Sequence, residues 1–153
     1  RPVCCARRSH HQQRHPHIEY EQDLTTANTA ALHILTTDWG VGESKAAGGQ
    51  GGRTTAQTGD ATWIHTHDTA MWTNASGDFV AEASAATSVG GLGKYEWSSD
   101  QMNADVQAWL DDAATNFGWI LIGNENKIKT ANRFDTMESS ESARPTLTIE
   151  FTP

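Results

Sequence analysis

From Thr29 onward the hydrophobic positions fall into short runs separated by turn residues, and most of those runs have the two-residue period of strands. Residues 30–35 are apolar with β-branched neighbours and end in Thr36-Thr37-Asp38-Trp39-Gly40, which predicts a strand followed by a turn. Residues 61–67 alternate, placing Trp63, His65 and His67 on one face and Thr62, Ile64 and Thr66 on the other. An oxygen-rich loop at 68–78 leads to a further short strand at 79–83. The GWILIG run at 118–123 is continuously apolar and bounded by glycine, the pattern of a buried central strand. At 146–151 Leu147, Ile149 and Phe151 alternate with Thr146, Thr148 and Glu150, and the preceding Pro145 suits an edge or a strand entry. Only one segment changes period. Met102, Val106, Trp109 and Leu110 recur at helical spacing between residues 98 and 112, with Ser98 or Ser99 available as a cap.

Many short strands, frequent turns and one helix predict an all-β fold, a jelly-roll β-sandwich with one short amphipathic helix. A chain of 153 residues is the size of one domain. Its hydrophobic fraction is only 37%, yet it has 6 Trp, so the core must rest on a few large rings. Residues 46–59 are Gly-rich and polar and read as a surface loop.

Charge divides the chain. Residues 1–18 contain Arg1, Arg7, Arg8, Arg14, four histidines and both cysteines, whereas all 19 acidic residues come later. His10, His11, His15 and His17 could make a metal-binding tail, but nothing in the segment has an apolar period to bury. Residues 1–27 are therefore expected to be atypical, either disordered or an out-of-frame start, and residues 28–153 to form the sandwich. The formal charge of −8 argues against nucleic acid, which needs a basic surface to release counterions. No run of 18 apolar residues exists to span a bilayer, so membrane insertion is not expected.

A set of local sequences carries a family resemblance: TTDWGVG at 36–42, GDATW at 59–63, GDF at 77–79, DVQAWLDDAATNFGWILIG at 105–123, RFD at 133–135 and RPTLTIEF at 144–151. Over roughly residues 28–153 the chain resembles the DNRLRE, or disaggregatase-related, family, most specifically in the block at 105–123. The resemblance implies a β-jelly roll carried by secreted proteins, in some cases a carbohydrate-binding module beside polysaccharide-degrading domains. A secreted or cell-surface location and a polysaccharide or small-molecule partner follow from it. The chain departs from the family in residues 1–27, and in Thr136-Met137-Glu138 where the family has Ser-Arg-Glu.

Three kinds of chemistry are open to these residues. Calcium takes six to eight oxygens from flexible loops, and Asp68, Asn74, Asp78 and Glu82 offer such oxygens, with Asp60, Asp135 and Glu138 as outside candidates. The spacing is not that of an EF-hand; the alternative is a solvated acidic loop. His65 and His67 share a strand face and are followed by Asp68, which suggests a small calcium- or zinc-dependent hydrolase of an ester or lactone, such as an acyl lactone. The His-x-His-x-Asp-His arrangement of metal-dependent lactonases is not met, because the Asp comes one position early and no second-pair His follows. No Gly-x-Ser-x-Gly elbow is present, and glycoside hydrolysis by two carboxylates has no positive support. Lastly, Trp39, Trp63, Trp72, Trp97 and Tyr95 could stack on sugar rings. Trp109 and Trp119 belong to the apolar patterns and read as core, whereas Trp39 and Trp72 flank turn-rich loops. The leading expectation is thus an extracellular, calcium-supported module binding carbohydrate or serving in adhesion, with Trp39, Trp72 and Tyr95 as ligand-binding residues; the hydrolase is the alternative.

Overall fold

The computed structural model describes residues 4–6 (backbone only), 27–44, 54–127, 130, 132–137 and 139–151. These contain six strands and one α-helix: β1 (Cys4–Ala6), β2 (Asn28–Ile34), β3 (His65–His67), β4 (Ala70–Met71), β5 (Ala85–Val89), α1 (Asp100–Asp111) and β6 (Trp119–Ile122). The fold is β-rich with one helix, as the periodicity predicts. One sheet has the order β1-β6-β2-β5, and β3 and β4 form a separate antiparallel hairpin.

Strand β6 owes its central place to its composition. Trp119, Ile120 and Leu121 are all buried, so both faces of the strand are covered, and only a continuously apolar run tolerates that. It pairs antiparallel with β2, setting Leu32 opposite Leu121 and His33 opposite Ile120. On its other side it pairs in parallel with β1, Cys4 opposite Trp119. β2 in turn pairs antiparallel with β5, Ala30 opposite Thr87.

The alternation of β2 divides the covering. Ala30 and Leu32 join Trp119, Leu121, Val89 and Trp109 in one buried cluster, against which Met102 and Val106 of α1 pack. Helix α1 therefore covers this face. The Ser99 hydroxyl caps the helix by accepting from the Met102 amide at 3.0 Å and itself donates to the Ser84 carbonyl. Of the four apolar residues in the expected stripe, Leu110 is 71% exposed. Asp105, one turn before Trp109, is buried in the stripe, and its Oδ2 accepts from Ser84 Oγ and from Trp119 Nε1 at 2.8 Å. Gln101 donates to its Oδ1. The carboxylate is a buried polar tie between helix and sheet, acceptable because it is hydrogen-bonded on both oxygens.

On the opposite face, His33 and Ile120 meet a loop. The His33 and Phe79 rings lie 5.3 Å apart, and Gly77 backs on to Ile120. Here the expected strand at 79–83 is corrected. Phe79 makes a single bridge to Leu35, and Val80 N donates to Ile34 O; the next bond along, Ser84 N to Leu32 O, advances two residues on β2 but four on the partner. Residues 81–83 bulge out of the ladder, and regular pairing resumes only in β5. Ala81-Glu82-Ala83 alternates, but two methyl groups offer too little apolar area to hold register.

Two other expectations change. The strand expected over 61–67 shrinks to β3, because Thr62 Oγ1 accepts from the Ile64 and His65 amides and folds residues 62–65 into a turn. Residues 146–151 join no ladder among the described residues, and Leu147, Ile149 and Phe151 are all exposed. A period-two pattern makes a segment able to pair, but pairing also requires a neighbouring edge. Residues 46–53 of the Gly-rich loop lie outside the described residues, as do residues 1–3 and 7–26, and with them His10, His11, His15 and His17.

Candidate functional site

Where β2 ends and β6 begins, four stretches of chain converge: residues 35–42, 59–67, 70–80 and 117–118. Backbone bonds join them, from Leu35 N to Gly118 O, Thr36 N to Asp78 O, Gly40 N to Thr66 O and Ala61 N to Gly40 O. Two glycines permit the contact. A Cβ on Gly40 would collide with the Gly59 carbonyl, and one on Gly42, which has φ of 63°, would collide with the Asp60 carboxylate.

Two carboxylates organise these loops. Asp60 is buried; its Oδ2 accepts from the Gln57 amide at 2.7 Å and its Oδ1 from the Ser44 amide at 3.3 Å. Hydrogen bonds from the Ser44 side chain and the Gln57 amide hold its pKa below the ordinary carboxylate value despite burial. Asp78 is buried as well, and its Oδ2 accepts from Thr73 N at 2.8 Å while its Oδ1 accepts from Asn74 N at 2.8 Å and Asn74 Nδ2 at 3.0 Å. Burial pushes the Asp78 carboxyl up, but the amides of Thr73 and Asn74 outweigh it and the net shift is downward. Both side chains act as anion anchors for the backbone of their own loops.

The oxygen set expected for calcium is thus only partly assembled. Asn74 and Asp78 meet. Asp68, at the β3–β4 turn with φ of 47°, accepts instead from the Gly59 amide at 2.6 Å, and Glu82 is exposed in the bulge. Asp60 holds the 57–60 turn, Asp135 accepts from Ser139 Oγ, and Glu138 lies outside the described residues. His65 Nδ1 lies 3.1 Å from Thr62 Oγ1 and His67 Nδ1 3.1 Å from Thr66 Oγ1. Among the described residues no group of three or more His, Cys, Asp or Glu is placed to hold a metal ion.

The aromatic residues divide by location. Trp39 donates its indole N–H to Phe117 O at 2.9 Å, and Trp72 donates its own to Thr62 O at 3.0 Å, so both belong to the loop end of the sheet. Tyr95 does not: its hydroxyl donates to Gly91 O and accepts from Gly90 N, just past the end of β5 that pairs with the start of β2. The length of β2, about 20 Å at the usual rise per residue, separates the two ends. Trp97 is also turned inward, donating to Ala30 O and packing edge-on to Phe134. Trp63 stands out instead. It is 52% exposed, beside Ile64 at 46%, while Met71 of β4 is 67% exposed. The backbone under it is pinned: Trp63 O accepts from Ser76 N at 2.9 Å, and Ile64 O from Trp72 N at 3.1 Å. Periodicity placed Trp63 with His65 and His67, and the Thr62 turn that lifts it outward is signalled only by that threonine.

What these elements define is a β-rich class of chain: a four-stranded sheet covered on one face by a helix and on the other by carboxylate-anchored loops. No protein-family model matches this chain, and neither a curated protein nor a solved structure matches it. No helix among the described residues is long and apolar enough to cross a membrane.

Proposed function

We propose that this chain is an extracellular jelly-roll module of the DNRLRE kind that binds polysaccharide through the loop end of its sheet. The observation that carries the reading is Trp63, a large ring more than half exposed on a hairpin whose backbone is fixed by hydrogen bonds from Ser76 and Trp72. An aromatic ring buries much apolar area at small rotamer cost, and a pre-positioned one loses less on binding. Sugar rings present flat C–H faces that stack on such a surface. Half-buried Trp72 ties the hairpin to the same turn by donating its indole N–H to the Thr62 carbonyl. The reading does not rest on calcium, since amide donors already hold the Asp78 loop; a cation there would be an added ligand, measured by comparing thermal stability with calcium and with EDTA.

Isothermal titration against a panel of neutral and acidic soluble polysaccharides tests the proposal. Trp63→Ala is expected to weaken binding roughly 30-fold, the effect of losing a tryptophan anchor worth about 2 kcal/mol. If no glycan binds, or Trp63→Ala and Trp72→Ala both bind as the parent does, the reading is wrong.

A further inference from the structure

A second feature of the loop end is not used by the platform. The turn after α1, a 3-10 turn at Ala113–Thr115, faces the loop that follows β2 across an open hollow of about 320 Å3. Asp38, Ala113, Ala114, Asn116 and Phe117 line it. We infer that this hollow is a binding site for a single neutral pyranose unit, an inference that rests on the carbohydrate reading above and deepens it.

Three observations support the assignment. The walls are held in place before any ligand arrives, because Trp39 Nε1 donates to Phe117 O at 2.9 Å and Leu35 N to Gly118 O at 2.9 Å, tying the Asp38 loop to the Phe117 loop. The volume falls at the lower end of the roughly 300–1,000 Å3 usual for small-molecule sites, which suits one sugar ring. Finally, the chemistry of the lining is amphiphilic in the way a sugar is. The Asn116 backbone N–H closes the 3-10 turn on Ala113 O, but its carboxamide has no hydrogen-bond partner among the described residues and is only partly exposed. A carboxamide offers a donor pair and an acceptor, which match vicinal hydroxyls, each of which both donates and accepts. Ala113, Ala114 and Phe117 provide the apolar part of the lining, the counterpart to the C–H face.

The test is a nitrogen-15 chemical-shift titration of the full chain with the methyl glycosides of glucose, galactose, mannose and N-acetylglucosamine, and with methylammonium as a cationic probe. At least one glycoside is expected to shift the amides of residues 38 and 113–117 saturably. Asn116→Ala should raise Kd about tenfold, as loss of hydrogen bonds to one ligand does. Ala114→Leu, a change at an exposed position that fills the hollow, should abolish the shifts with the rest of the spectrum unchanged, whereas Trp63→Ala should leave them intact. Saturable shifts absent with every glycoside, confined to the hairpin, produced by methylammonium alone, or retained in both Asn116→Ala and Ala114→Leu would each overturn the inference. The platform reading is judged separately: polysaccharide binding weakened by Trp63→Ala in a protein without a glycoside response leaves the platform standing and removes the hollow.

Discussion

The helix-covered face of the sheet and the loop end where Trp63 stands are built on different physical terms. Under α1, Ala30, Leu32, Val89, Trp109, Trp119 and Leu121 hold together by apolar burial, and one carboxylate, Asp105, is admitted because the indole of Trp119, Ser84 and Gln101 satisfy it. At the loop end Leu35 is buried, but Ile64, Met71 and Trp63 are exposed, and Asp60 and Asp78 order the loops by collecting backbone amides. Area burial is non-directional and tolerant of pH, whereas amide-to-carboxylate bonds are directional and depend on charge. The difference explains how one small chain can keep a firm core and still present large apolar side chains in a fixed geometry.

The contrast can be broken most forcefully from the core side. Trp119→Ala removes a buried ring and a donor to Asp105, and chemical denaturation should show a loss of about 3–5 kcal/mol. Asp78→Asn attacks the other side. It turns an amide group toward the Thr73 and Asn74 donors, so the melting temperature should fall by several degrees, and hydrogen exchange at 73–78 should accelerate far more than in β6. Acid should act in the same direction more mildly, since the hydroxyl oxygen of a protonated carboxyl can still accept, whereas the amide nitrogen of asparagine cannot. Asp60 and Asp78 both have folded pKa values below the ordinary 3.8. Their contribution is accordingly complete above that value and lost as pH falls from 3.8 through the lower folded values, where the unfolded chain binds the proton first. Thermal melts across that range should lose this slope in the Asp60→Asn, Asp78→Asn double variant. The smallest change is expected at Leu110, where Leu110→Ser should shift stability by less than about 0.5 kcal/mol because the side chain faces solvent.

How far the fold could be read in advance follows from the same division. Apolar periodicity marks β6, β2 and α1 with its Ser99 cap, because there burial decides the structure. It also contained the signal for Asp105, which sits at i+3 from Met102 and i−4 from Trp109 and so must fall inside the helical stripe. It misleads near 79–83, where Ala81-Glu82-Ala83 keeps the alternation but its methyls bury too little to hold register, and the chain bulges. The candidate site was less legible still. Asp68, Asn74, Asp78 and Glu82 are close in sequence, but a carboxylate's role depends on which donors reach it. Asp78 meets Thr73 and Asn74 within its own loop, and Asp68 meets Gly59, a partner nine residues away that no spacing rule identifies. Tyr95 and Trp72 both flank turns, and only the direction of β2 shows that those turns lie at opposite ends.

The exposed alternation at the far end of the described chain has a consequence for handling the protein. Leu147, Ile149 and Phe151 form a strand-like apolar row with no ladder among the described residues and a single charge, Glu150, within 146–151. Such a segment is a template for intermolecular cross-β stacking, opposed mainly by the mutual repulsion that a net charge of −8 provides. Colloidal stability should therefore worsen with added salt and near the isoelectric point of 5.2, where that repulsion is screened or cancelled.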